Sequence, residues 1–429
     1  MSNIFTKIYK DSLLRNSVYL MTTNFSGLIL GFLFWMIAAK YYTPNDIGIV
    51  SVILSSVSLI SMISLIGFPM ALMFYLPKNA KNANRMINSC LMVGIMISII
   101  FSLIFILGLD MWSPSLVSTF DNLKYITIFI IVTIMTTVST IISSAFTAGR
   151  RSSFHMVKEN IFSIVKIFPL VLLIGSGTIG IFLSWSIGMV ISVSIGFILL
   201  YKLWKYVPTF TFDPIIKDMM KFSFGNYIAG IFFNIPRSVF PLMIINFISA
   251  DAAGYFFVAV TISGLLYGIT SSITNSFLSE SSDENTFWDN VDKVIVFNII
   301  LLVPILLSIV IFGKFVLNIF NPGYADNSFT SLIILAAASI PMSIVTVFNV
   351  VRYTQKRIMT AIKIDGIVAA ISIILSIYFI GIWGIEGVAM AYLAANTIVA
   401  TIIIFRMKNP IEFILRLAKY RNIGLFSAR

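Results

Sequence analysis

The sequence predicts an all-α membrane protein of about twelve transmembrane helices in two six-helix bundles. Three observations carry that prediction. The chain of 429 residues is 59% hydrophobic and only 11% charged, where a soluble domain carries about 25% charged residues. Twelve apolar stretches follow one another, each long enough to cross ~30 Å of hydrocarbon at ~1.5 Å per residue. The second six repeat the first at an offset of 206 residues. Thus Tyr42-Thr43-Pro44-Asn45-Asp46-Ile47-Gly48 is matched by Ile248-Ser249-Ala250-Asp251-Ala252-Ala253-Gly254, Arg150-Arg151 by Lys356-Arg357, and Glu159 by Asp365. A duplicated bundle of this kind is a transporter architecture more often than an enzyme.

The predicted spans, in order, are 17–39, 47–73, 86–109, 125–147, 156–175, 178–203, 222–248, 253–278, 291–313, 329–351, 360–380 and 383–405. They are helices because lipid offers no partner for backbone polar groups and the runs are too long for barrel strands. The first run is too long for a signal-peptide core and is read as a retained span. Residues 1–205 form the first six-helix bundle, 206–406 the second, and 407–429 a basic amphipathic cytoplasmic tail. Six helices per half make both halves enter from the same side. A pseudo-twofold axis along the membrane normal is then expected, with a cavity between the halves and rocking about it. Three segments read as interfacial: Ile4 to Leu14, a short helix from Asp213-Pro214 through Lys221, and the tail after Pro410, with Glu412, Arg416 and Lys419 on one face.

Charge sets the expected orientation in a cell membrane. With both termini in the cytoplasm, that side holds 24 of the 29 Lys and Arg residues, as positive-inside topology requires. Only Lys40, Lys124 and Lys314 lie outside. The net charge of +12 is therefore a topology signal, and the scattered basic residues give no reason to expect a nucleic-acid partner. Glu280, Asp283, Glu284, Asp289 and Asp292 crowd one cytoplasmic loop, read as a solvated segment. One cysteine, Cys90, excludes an internal disulfide and reads as a buried structural thiol. One histidine, His155, excludes a His-rich metal site, and no cofactor or metal motif occurs.

Several segments carry a family resemblance: Ala38-Ala39-Lys40-Tyr41-Tyr42-Thr43-Pro44-Asn45-Asp46-Ile47-Gly48, then Leu65-Ile66-Gly67-Phe68, Ala148-Gly149-Arg150-Arg151 and Gly254-Tyr255. With the length and the six-plus-six repeat, the chain resembles the Wzx-type polysaccharide-biosynthesis flippases of the multidrug/oligosaccharidyl-lipid/polysaccharide exporter superfamily. That resemblance implies translocation of a polyprenyl-diphosphate-linked oligosaccharide from the cytoplasmic to the outer leaflet. It also implies work alongside a polysaccharide polymerase and glycosyltransferases.

A mid-membrane charge costs about 2.5–3.5 kcal/mol and needs a reason. Lys166 lies about 10 residues into span five and Arg237 about 15 into span seven, both deep by rise per residue. His155, Glu159 and Lys166 share a face of span five, with Lys158 beside it. Asn226, Gly230, Asn234 and Arg237 fall within about 80° on span seven, where Pro236 is expected to break the local ladder. Arg237, Lys166, Asn234, Asn226 and Asn24 are the candidate substrate ligands. Lys158, Glu159, His155, Arg150, Arg151 and Asp365 are candidates for a cytoplasmic entrance or gate. Blander readings stand beside these. Lys158 and Glu159 can form an edge ion pair, His155 reads better as a satisfied interfacial residue than as a proton switch, and Asn24 can serve helix packing. Cations in a shielded cavity fit a diphosphate, which Arg can grip bidentately.

Two other functions compete. A cation-coupled multidrug-and-toxin-extrusion antiporter shares the plan, but no acidic residue occupies the middle of a predicted span. A membrane polymerase or ligase would need a larger outer loop than the ~15 residues from Asp110 to Lys124, given that a separate soluble domain takes 50 residues or more.

Overall fold

A computed structural model describes residues 12–209, 212–280, 284–355 and 357–406. The N-terminal surface segment and the C-terminal tail expected from sequence lie outside these residues, as do the side chains of the acidic loop. The described chain is helical throughout. Its main helices are α1 (Ser12–Tyr41), α2 (Pro44–Ser64), α3 (Phe68–Tyr75), α4 (Ala83–Leu107), α5 (Leu123–Ala148), α6 (Ser152–Val165), α7 (Ile167–Leu172) and α8 (Thr178–Trp204). They continue with α9 (Ile216–Phe247), α10 (Ala250–Glu280), α11 (Glu284–Phe320), α12 (Pro322–Thr354) and α13 (Ile358–Arg406).

Ten of these are long and apolar enough to cross a membrane. α13 has 49 residues, about 73 Å at 1.5 Å per residue and twice what one crossing needs. It breaks at Gly384, whose φ of 57° and ψ of −133° are non-helical, so it supplies the last two spans. α6 and α7 together supply the fifth. The protein is thus a multi-pass membrane protein, with twelve spans among the described residues.

Local chemistry explains the boundaries. Thr43 caps α2: its side chain accepts from Asp46 N, and Asp46 reaches back to the Thr43 N–H, closing a capping box. At the matching position of the repeat, Ser249 Oγ accepts the N–H of Ala252 at 3.1 Å and caps α10. Spans two and five, predicted as continuous, are each broken. Pro69 follows the α2–α3 break, where Ile66 has φ 44° and Gly67 φ 78°. Pro169 follows the α6–α7 break at Lys166. A proline ring clashes with the carbonyl four residues earlier and cannot donate to it, and those carbonyls belong to Leu65 and Val165. α9 behaves otherwise and continues through both Pro236 and Pro241; having no N–H, Pro236 interrupts the local ladder without ending the helix. Asp213 Oδ1 accepts the N–H of Ile215 at 3.1 Å in the turn before α9, but the N-cap position of α9 falls on Ile215 and not on Asp213 as expected. No separate surface helix forms there, because the turn runs straight into α9.

Contacts divide the chain into two compact units, residues 1–257 and 258–429. The boundary expected from the repeat, 205/206, lies before this one, and α9 packs on α2 and α3 of the first unit. Within that unit the core joins α3, α4, α5 and α8 through Phe68, Ile87, Ile141, Phe146 and Val193. Cys90 is free and fully buried among them. α1 lies along α6, and α6 along α8. In the second unit α11, α12 and α13 pack in sequence order.

Candidate functional site

Lys166 sits at the break between α6 and α7, where it caps α6. It is 3% exposed. Its ammonium lies 4.2 Å from the ring centroid of Trp185, 4.5 Å from Phe162 and 4.9 Å from Phe34. Among the described residues it makes no ion pair. Aromatic faces attract a cation through their quadrupole but leave its charge uncompensated. The local backbone explains the position. The break forced by Pro169 turns the lysine toward α8, and Gly188 of α8 gives it room. A Cβ on Gly188 would lie 2.9 Å from the Lys166 Cβ.

Lys158 lies eight residues earlier and is fully buried. Its Nζ donates to Glu159 Oε1 at 2.8 Å and to Ser139 Oγ. Ser143 Oγ donates to the same carboxylate oxygen at 2.9 Å. The ion pair anticipated from sequence therefore exists, with the Lys158 side chain fully buried and the Glu159 side chain 30% exposed. Gly196, eight residues from Gly188, makes its room, since a Cβ there would meet Lys158 Cδ at 3.1 Å. Two lysines on one helix thus face two glycines on the next. His155 Nδ1 stands 4.0 Å from Glu159 Oε1 and is buried without a hydrogen-bond partner among the described residues. A satisfied histidine, the sequence expectation, is not what that atom shows.

The second repeat builds the same pair without the lysine. Asn349 Nδ2 donates to Asp365 Oδ1 at 2.7 Å, and these residues correspond by the 206 offset to Ser143 and Glu159. The residue matching Lys158 is Ile364. Asp365 is 4% exposed and Asn349 Oδ1 is buried without a partner among the described residues.

The remaining candidates are dispersed. Arg237 is half-buried on α9, its guanidinium carbon 5.2 Å from the Phe233 ring. Asn234 Nδ2 donates to the Gly230 carbonyl of its own helix at 2.9 Å. The side chain of Asn226 lies outside the described residues. Asn24 is exposed on α1, and Arg150 and Arg151 are exposed in the turn before α6, Arg150 with φ 54°.

Sequence reading missed the aromatic cage and the hydroxyls of Ser139 and Ser143. It also missed Asn160, whose Oδ1 accepts from Ser26 Oγ of α1 at 2.6 Å. The shared eight-residue spacing of the two lysines and the two glycines was the available signal.

A family model described as polysaccharide biosynthesis protein matches residues 13–278, well over half of the chain. The chain belongs to the polysaccharide biosynthesis protein family. Its fold is that of several solved transporters. It is similar to the lipid II flippase MurJ in its inward closed conformation, with a TM-score of 0.74, 17% identity, and 95% of this chain and 91% of that chain covered. It is also similar to an inward-facing multidrug resistance MATE family transporter of the MOP superfamily, with a TM-score of 0.67, 11% identity, and 96% and 100% covered. A MATE structure in the bent conformation follows at 0.61, 11% identity, and 96% and 97% covered. No curated protein sequence matches the chain. At these identities the likeness is one of fold.

Proposed function

We propose that the protein is a flippase that carries a polyprenyl-diphosphate-linked oligosaccharide from the cytoplasmic to the outer leaflet by alternating access, with both termini in the cytoplasm. One observation carries this reading: a deeply buried lysine, Lys166, is held by aromatic rings and has no carboxylate partner among the described residues. A buried cation normally acquires a counter-ion, because the charge is costly in low dielectric. A site that keeps the cation and omits the counter-ion suits an anionic ligand. Diphosphate supplies the missing charge, and its prenyl chain stays in lipid. Lys166 and Arg237 are the proposed headgroup ligands, and Asn234, Asn226 and Asn24 are further proposed substrate contacts. Lys158, Glu159, His155, Arg150, Arg151 and Asp365 are the proposed entrance and gate.

The test is flipping of a fluorescent prenyl-diphosphate disaccharide in proteoliposomes. Lys166→Gln should abolish it while the protein still inserts and elutes as the wild type does. Undiminished flipping in that variant removes Lys166 from the mechanism.

Asp365 supports a second reading, a cation-coupled multidrug-and-toxin-extrusion-type antiporter, because its buried carboxylate has no cationic partner among the described residues. Resistance to cationic drugs, lost in Asp365→Asn, with no rescue of a glycan-export mutant, would favour it.

A further inference from the structure

The rings around Lys166 extend beyond the cage. Trp35 of α1 stands 6.3 Å from Trp185, tilted by 35°, and 4.5 Å from Phe257 of α10 in an edge-to-face contact. Trp185 and Phe257 keep part of their surface open, whereas their neighbours Phe182 and Phe256 are fully buried or nearly so. Neither indole N–H donates to a protein acceptor among the described residues, although a Trp placed inside a protein usually finds one. Tryptophan in membrane proteins concentrates at the water interfaces, where that N–H is satisfied. A tryptophan against a buried lysine, with a second tryptophan beside it, calls for a polar ligand that also has an apolar face.

We propose that Trp185, Trp35 and Phe257 form a pyranose subsite adjoining Lys166, so that the sugar nearest the diphosphate stacks on the rings while the diphosphate meets the ammonium. A pyranose fits on chemical grounds. Its axial C–H groups are weakly positive and rest on the negative face of an aromatic ring, and its hydroxyl oxygens accept from indole N–H groups. One end of the site takes the charge and the other the ring, which matches a sugar joined directly to a diphosphate. This assignment rests on the flippase reading and names the residues that would give it selectivity for a glycosylated carrier over the bare one.

The experiment uses the full chain in nanodiscs and two probes, a short-prenyl diphosphate and the same carrier bearing one N-acetylhexosamine. In the wild type the glycosylated probe should bind about fivefold tighter, the scale of one good aromatic contact. Phe257→Leu, which touches Trp35 and not the lysine, should erase that difference and leave the bare probe unchanged. Trp185→Phe keeps a ring under the ammonium but removes an N–H. It should shrink the difference and serves as the second variant if Phe257→Leu fails to fold. Equal binding of the two probes to the wild type, or a parallel loss of both in Phe257→Leu, overturns the subsite and leaves the flippase reading intact. Failure of either probe to bind the wild type overturns both.

Discussion

Gly48 of α2 and Gly254 of α10 meet across a backbone contact, and each is the other's counterpart under the 206-residue repeat. A Cβ on Gly48 would lie 1.8 Å from the Ala250 carbonyl oxygen, and one on Gly254 would lie 2.1 Å from the Pro44 carbonyl oxygen. Pro44 and Ala250 are themselves 206 apart. The contact is therefore reciprocal, the local signature of a two-fold relation. It also forbids any side chain at either position while the helices stay this close.

We propose that this crossing acts as a gate at the end of α2 that the charge pattern assigns to the outer side. Gly48→Ala should force α2 and α10 apart and stop transport, with about normal protein levels. Gly27→Ala, where an added Cβ meets nothing within 4 Å, should leave transport unchanged. A reporter at Asn45→Cys should label faster with an impermeant maleimide in the Gly48→Ala background. The sole native thiol, Cys90, is buried and contributes no background. Equal labelling and normal transport would show that the contact is not a gate.

The Lys158–Glu159 pair is expected to matter for stability through what its loss leaves behind. Lys158→Met strands a carboxylate among Ser143 and His155, and Glu159→Gln strands a fully buried ammonium. Removing one partner of a buried pair costs about 3–5 kcal/mol, whereas replacing both is often near neutral. Thermal unfolding in detergent should show each single variant strongly destabilised and Lys158→Met/Glu159→Gln largely restored. If the double variant is as unstable as the singles, the pair has a role beyond mutual neutralisation.

Much of this was readable in the chain, for definite reasons. The spans, the repeat and the cap at Thr43 follow from local periodicity and turn chemistry. The breaks before Pro69 and Pro169 were legible too, since each proline reaches back to a carbonyl four residues away, but the length of each predicted span masked them. Lys158 beside Glu159 is evident in sequence. That Lys158 is fully buried is not, because its burial depends on Gly196, 38 positions further on. The cage around Lys166 draws rings from α1, α6 and α8, and no window along the chain contains all three.

Asn88 shows the same limit and supplies a further prediction. From α4 it accepts hydrogen bonds from the Tyr206 hydroxyl and from Thr209 N, and its amide donates to Thr209 Oγ1 at 2.7 Å. Ser89 Oγ accepts from Asp213 N at 2.7 Å. The connection between the repeats is thereby stapled to the first one. Asn88→Ala leaves buried groups unpaired, at about 1–3 kcal/mol each. It should open the 205–213 segment to limited proteolysis, where Asn122→Ala, at an exposed cap, should not. Burial pushes the Tyr206 phenol from an ordinary 10.0 up to about 12. A raised acid pKa favours the neutral form in the folded state, so its contribution is intact below pH 10 and disappears as pH rises through about 12. Protection of the segment should fall in that window, and Tyr206→Phe should flatten the fall.

Lys166 and Arg237 offer different chemistry to the same proposed headgroup, which separates their expected defects. Lys166 is a caged point charge with its stem packed on Gly188. Arg237 is half-buried and presents a planar fork that suits two phosphate oxygens at once. Lys166→Arg should therefore fail nearly as badly as Lys166→Gln, because the larger group does not fit between three rings and a glycine. Arg237→Lys should retain charge but lose bidentate grip, weakening diphosphate binding by about tenfold, the factor expected for a loss near 1.4 kcal/mol. Binding of the bare prenyl diphosphate in nanodiscs reads both. Full binding in Lys166→Arg would mean that the cage is loose enough to be irrelevant. Full binding in Arg237→Lys would mean that the fork geometry is not used.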